Sequence, residues 1–216
     1  MRRGYTMRMT ERVTLSVIFG AVPICICFVA GWWISIPLVP ESLIPLCALA
    51  VFFVGVVVDI LFLSTWVRHA YSMKPIVWMS VYLVYSVGMF GFFMGVPLFH
   101  VALAFPAGCF VGGWLVHRGA DSTRMKKAAK DSAAFTTSVL AIVCVASAAI
   151  ALASPSTGAD LQGMLRLPFQ VTPVMIMCLI LGGGLSLLLL QWWLTLKSVE
   201  LAYGYFAVRT SSSISA

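Results

Sequence analysis

Charged residues are scarce in this chain of 216 residues. Only 10% are Asp, Glu, Lys or Arg, and only seven are acidic, whereas soluble domains usually carry about 25% charged residues. The chain is 61% hydrophobic, and its mean hydropathy is +1.01. A core of this size cannot hide so much apolar surface from water. The composition therefore excludes a soluble globular domain and predicts a polytopic membrane protein.

Motifs for catalysis and metal binding are also lacking. The sequence contains no H-E-x-x-H motif, no glycine-rich phosphate loop and no pair of carboxylates within one apolar run. The Gly184-Leu185-Ser186 triplet lacks the closing glycine of a nucleophile elbow. His100 and His117 would lie about 25 Å apart along a helix, so they cannot share a metal ion. We therefore predict no cofactor and no metal, and an enzyme is the least favoured functional class.

The cysteines do not indicate a redox function either. They form no C-x-x-C pair and have no histidine at metal-ligand spacing. All lie in apolar segments, where cysteine is usually a small apolar filler. The six positions are Cys25, Cys27, Cys47, Cys109, Cys144 and Cys178.

Long apolar runs are what the sequence has in abundance. Six of them are long enough to cross a bilayer as helices, and they cover about residues 13–34, 43–66, 75–93, 99–116, 135–153 and 173–196. The first run is longer than a signal-peptide core of about 7–15 residues, so we expect it to be retained. The prediction is an all-α integral membrane protein, a six-helix bundle in a single membrane domain over residues 1–216. Residues 197–216 are expected to form a short cytoplasmic tail with a disordered end.

Basic residues indicate how the spans are oriented. Six spans place both termini on one side of the membrane. With that topology, all of the 14 Lys and Arg residues except Arg166 fall on the same side as the termini. The positive-inside rule then predicts cytoplasmic termini in a plasma membrane. The net charge of +7 is explained by anionic lipid headgroups, so the expected partners are the lipid bilayer and a homo-oligomer or partner membrane subunits, and not nucleic acid.

Asp59 is the only charged side chain inside an apolar run. Carboxylates within membranes are costly and usually functional. Asp59 would lie roughly 10 Å from the cytoplasmic end of its helix, and four other polar residues are expected at similar depth. The hypothesis is a substrate or ion site with Asp59 as the titrating group, formed by Asp59, Tyr82, Ser86, Gln191 and Ser138. The alternative is a carboxylate that is hydrated or paired with Arg68 or Lys74 and serves only helix packing.

Small residues recur at helical spacing in the fourth span. Ala104, Gly108 and Gly112 form a stripe that permits close helix contact, either within the bundle or with a partner subunit. In the sixth span, the glycines at 182–184 indicate either a half-helix break, as in transporters, or simple tight packing.

A short internal similarity links the first and fourth spans. CFVAGW at Cys27–Trp32 resembles CFVGGW at Cys109–Trp114, and Pro23 and Pro106 precede them at nearly the same offset. The two spans would run in opposite directions, so the pattern predicts a weak 3+3 inverted repeat, a common transporter architecture. The alternative is a chance match between apolar segments.

Two functional classes follow from these patterns. The first is a small-solute or ion transporter, or a substrate-binding membrane component, with an intramembrane aspartate. The second is a non-catalytic integral subunit or assembly factor that docks through the Ala104, Gly108 and Gly112 stripe.

Overall fold

The structure is a computed structural model, and it describes residues 9–93, 95–166 and 168–212. Within those residues the fold is entirely helical, without strands. The helices are α1 (Met9–Ser35), α2 (Ile44–His69), α3 (Pro75–Phe92), α4 (Ala104–His117), α5 (Ser122–Ala153), α6 (Thr157–Leu165), α7 (Pro173–Cys178) and α8 (Gly184–Ser212).

Six helical segments of the described chain are long and apolar enough to span a membrane. They are Glu11–Ser35, Glu41–Ser72, Pro75–Phe92, Pro97–His117, Ser122–Ala153 and Pro173–Ala207. This confirms the prediction of an all-helical fold with six helices able to span a membrane, and it is compatible with a multi-pass membrane protein. The cytoplasmic location of both termini stays a prediction, because length and apolarity do not orient a helix.

Two helix boundaries differ from the sequence-based expectation. α5 begins at Ser122, well before residue 135, and the Asp121 side chain caps it by accepting a hydrogen bond of 3.0 Å from the main-chain N–H of Arg124. The sixth span continues as α8 to Ser212, so most of the predicted tail is helical. The predicted disorder at the end of the chain falls on residues 213–216, which lie outside the described residues, as do residues 1–8 of the basic N-terminal segment.

Two of the spans are not regular α-helices throughout. The fourth begins as a 3₁₀ helix, Pro97–Leu103, before α4 starts. The sixth contains a π-helix, Leu179–Gly183, between α7 and α8. A Cβ atom added at Gly182 or Gly184 would meet nothing within 4 Å, so tight packing does not account for these glycines. Such π segments are frequent at functional sites.

The chain divides into two compact units, Met1–Tyr85 and Ser86–Ala216. The expectation of one bundle over residues 1–216 therefore stays a prediction. In the first unit, α1 and α2 pack closely over small residues. A Cβ added at Gly31 would lie 2.8 Å from Val51 Cβ, and one added at Gly55 would lie 2.9 Å from Ile24 Cα. The absence of side chains at these two glycines brings the helix backbones together.

In the second unit, α8 packs against both α4 and α5. The α4 contact places Gly112 beside α8, where an added Cβ would lie 2.6 Å from Ala202 Cβ. The first unit therefore packs its first two spans together, whereas in the second α8 packs against both α4 and α5. Pro23 lies inside α1, but Pro106 lies in the first turn of α4. These differences do not favour the inverted repeat, which stays a prediction.

Candidate functional site

Asp59 is buried within the first unit. The residue is 8% exposed, and its Oδ1 atom has no hydrogen-bond partner among the described residues. The ion pairs in the described part of the chain are Arg124–Asp121 and Lys197–Glu200, so neither Arg68 nor Lys74 pairs with this carboxylate. An isolated ionised carboxylate in an apolar surrounding is strongly unfavourable. A charged Asp59 is therefore not neutralised by a basic side chain of the described residues.

The carboxylate of Asp59 faces a glycine of α1. A Cβ added at Gly20 would lie 3.3 Å from Asp59 Oδ2 and 3.6 Å from Leu63 Cδ2. Gly55 lies one turn before Asp59 on α2 and contacts the backbone of α1. A Cβ added at Gly55 would lie 2.9 Å from the carbonyl oxygen of Pro23. This close contact holds the two helices together. Gly20 therefore leaves the small space that the carboxylate occupies.

Pro23 changes the hydrogen bonding of α1 beside this space. Proline has no N–H, so it cannot donate to the carbonyl of Phe19, four residues earlier in the helix. The Phe19 oxygen thus lacks its usual helical donor one residue before Gly20. α1 nevertheless continues through Pro23 as one α-helix from Met9 to Ser35.

Aromatic residues of α3 complete this part of the first unit. The Tyr85 hydroxyl donates a hydrogen bond of 2.7 Å to the carbonyl of Ile18. The ring of Trp78 meets that of Phe19 edge to face, with centroids 4.7 Å apart. Tyr82, predicted to belong to the site, is also buried in this unit. These contacts fix α3 against the turn of α1 that carries Gly20.

Three other predicted site residues belong to the second unit. Ser86 and Gln191 are buried, whereas Ser138 is exposed. The hypothesis of one polar layer joining them to Asp59 stays a prediction. Thr136, two residues before Ser138, is the buried polar residue of that stretch, and its hydroxyl lies 2.9 Å from the hydroxyl of Thr195.

A buried polar face on α8 was not predicted from the sequence. Gln191, Thr195 and Ser198 follow the spacing i, i+4, i+7, which places them on one side of a helix, and all three are buried. This helical spacing of polar residues was the sequence signal that could have predicted the face. Because Thr195 bonds to Thr136 of α5, this face joins helices within the second unit.

The small-residue stripe of α4 also lies against α8. Ala104 is fully buried, a Cβ added at Gly108 would contact Ser198, and one added at Gly112 would contact Ala202. This chain's own helix therefore covers the stripe.

Gly20 is the residue beside Asp59 that sequence reasoning missed. Its only signal was a glycine inside an apolar run. No group of three or more His, Cys, Asp or Glu side chains able to hold a metal ion occurs among the described residues. A single carboxylate suits a proton or a small monovalent cation better than a divalent metal ion, which needs more ligands.

Comparison with known proteins finds no matching family model, curated protein or solved structure.

Proposed function

We propose that this membrane protein transports a proton or a small monovalent cation, alone or together with a small solute, and that Asp59 binds it. The observation that carries the proposal is the buried Asp59 carboxylate, whose Oδ1 has no hydrogen-bond partner and which has no basic side chain paired with it in the described residues. A cation or proton that neutralises it removes the cost of the buried charge. Repeated loading and release of that ion on the two sides of the membrane would constitute transport.

The surrounding residues have separate roles in this proposal. The Asp59 carboxylate is the charged ligand. Gly20 provides space beside the carboxylate. Tyr85 positions the neighbouring turn of α1 through its hydrogen bond to the carbonyl of Ile18. The site operates in a plasma membrane with both termini in the cytoplasm, as the distribution of basic residues favours.

The proposal is tested by flux into liposomes that contain the purified protein. Gradients of protons, Na⁺ and K⁺ are applied one at a time, and ion entry is followed with ion-sensitive dyes. Asp59→Asn keeps the shape of the side chain but removes its charge. It should lower the flux of whichever ion the wild-type protein transports by at least about tenfold, which corresponds to a free-energy difference of about 1.4 kcal/mol or more.

Asp160→Asn is the matched control, because Asp160 is exposed and accepts a hydrogen bond from Ser156 at the surface. It should leave the flux unchanged. Wild-type flux of all three ions in the folded Asp59→Asn protein would refute the proposal.

The second functional class, a non-catalytic subunit or assembly factor, lacks the docking face first expected for it. Because α8 covers Gly108 and Gly112 and Ala104 is fully buried, a partner membrane subunit would have to use a different surface. We therefore rank this class below transport.

A further inference from the structure

A cavity of about 270 Å³ lies in the second unit where α4 ends and α5 begins. It is separate from the Asp59 site along the chain and shares no residue with it. Its lining includes Trp114, Leu115, Arg118, Arg124, Lys127 and Asp131. The cavity thus combines an apolar floor with three cationic side chains and one carboxylate.

The cationic groups of this cavity are available to a ligand. The Arg124 guanidinium lies 4.0 Å from the Asp121 carboxylate, and both side chains are largely exposed, so this ion pair contributes little. The Arg118 guanidinium lies over the ring of Trp114, 4.3 Å from its centroid. Stacking orients the guanidinium plane and leaves its N–H groups at the edge of that plane. The positive charge therefore exceeds what Asp131 can neutralise.

The backbone around the cavity is held in place by α8. The Tyr203 hydroxyl donates a hydrogen bond of 2.6 Å to the carbonyl of Ala120, in the turn between α4 and α5. Leu115 of α4, Ala129 of α5 and Val199 of α8 form a buried apolar cluster beneath it. The backbone that carries the cationic side chains is therefore already in place before a ligand binds, which lowers the entropic cost of binding.

The position of the cavity along the spans indicates its ligand. Trp114 lies near the end of the fourth span, and tryptophan is enriched at the level of lipid headgroups. The lysines and arginines of early α5 extend from the same level. Guanidinium groups bind phosphate oxygens through paired hydrogen bonds, and lysine adds a point charge.

We propose that this cavity binds a phosphate group, supplied by the headgroup of an anionic phospholipid or by a soluble phosphate compound. Arg118 and Arg124 contact the phosphate oxygens, and Lys127 neutralises the remaining charge. Trp114 and Leu115 contact the apolar part of the ligand. The site is independent of ion transport by Asp59.

The test uses native mass spectrometry and binding titrations on the full-length protein with two pairs of substitutions. Arg124→Gln/Lys127→Gln removes two positive charges from the lining of the cavity. Lys126→Gln/Lys130→Gln removes two charges from exposed positions of the same helix that do not line it. Both pairs change the net charge equally, so a diffuse electrostatic effect would appear in both. Equal thermal midpoints would show that both are folded.

The probes are phosphatidylglycerol in phosphatidylcholine nanodiscs and inorganic phosphate with the protein in a neutral detergent. The cavity pair should weaken binding of the effective probe by at least about tenfold, because charge-assisted hydrogen bonds are lost, and the control pair by less than about threefold. Binding of phosphatidylglycerol alone identifies a lipid ligand, and binding of inorganic phosphate identifies a soluble one. Equal losses in both pairs, or no loss in either, would overturn the proposal.

Discussion

Replacement of Gly20 by alanine tests the Asp59 site without touching its charged group. The new Cβ would lie 3.3 Å from Asp59 Oδ2, closer than an ordinary contact of about 3.5–4.0 Å. The carboxylate must therefore move away by a few tenths of an ångström. Alanine also favours a helix over glycine by about 0.5–1 kcal/mol, so the fold should persist.

The expected size of the effect follows from Coulomb's law. If the carboxylate retreats from about 2.5 Å to about 3.0 Å from a bound cation, their attraction weakens by about 1 kcal/mol at an effective dielectric constant of about 20. That loss corresponds to about fivefold weaker binding. Gly20→Ala should therefore raise the ion concentration that half-saturates flux by about fivefold, with little change in thermal stability.

Gly88→Ala is the matched control for this experiment. Gly88 is also a helical glycine of a membrane span, and a Cβ there would meet nothing within 4 Å. It should gain the same helix propensity without changing ion affinity. If the half-saturating ion concentration of both Gly20→Ala and Gly88→Ala equals that of the wild-type protein, the Asp59 carboxylate does not bind the transported ion beside Gly20. That result would refute the proposed site.

Three further predictions concern the helix contacts. Gly55→Ala should lower the free energy of unfolding by about 1–3 kcal/mol, because its Cβ would press on the α1 backbone. A thermal midpoint equal to that of Gly88→Ala would contradict this. Tyr85→Phe should lower the free energy of unfolding by about 1 kcal/mol and raise the ion concentration that half-saturates flux, because its hydrogen bond to Ile18 is lost; wild-type values of both would contradict this. A double-mutant cycle of Thr136→Val and Thr195→Val should give a coupling of about 0.6 kcal/mol, and zero coupling would exclude their hydrogen bond.

The spans were predictable from sequence because the length of an apolar run alone decides whether a helix can cross a bilayer. The start of α5 was not, because hydropathy does not detect a polar helix. Residues 122–134 are rich in alanine and lysine, which have high helix propensity, and Asp121 caps them.

The site was predictable only in part because sequence gives depth along a helix more readily than direction around it. Asp59 was identified because charge is so scarce. Ser138 and Thr136 have nearly the same depth, but two residues of a helix turn through about 200°, so one is exposed and the other buried. Gly20 was missed because its role depends on which face of α1 meets α2.

Infrared difference spectroscopy can show directly whether the Asp59 carboxyl group binds a proton or a cation. The Asp59→Asn spectrum is subtracted from that of the wild-type protein in liposomes, while choline is exchanged for Na⁺ or K⁺ and the pH is varied. The account predicts a carboxyl band typical of a protonated or ion-bound group, which shifts when the ion is exchanged. A band typical of a free, hydrated carboxylate that does not change with protons, Na⁺ or K⁺ would contradict ion binding at Asp59.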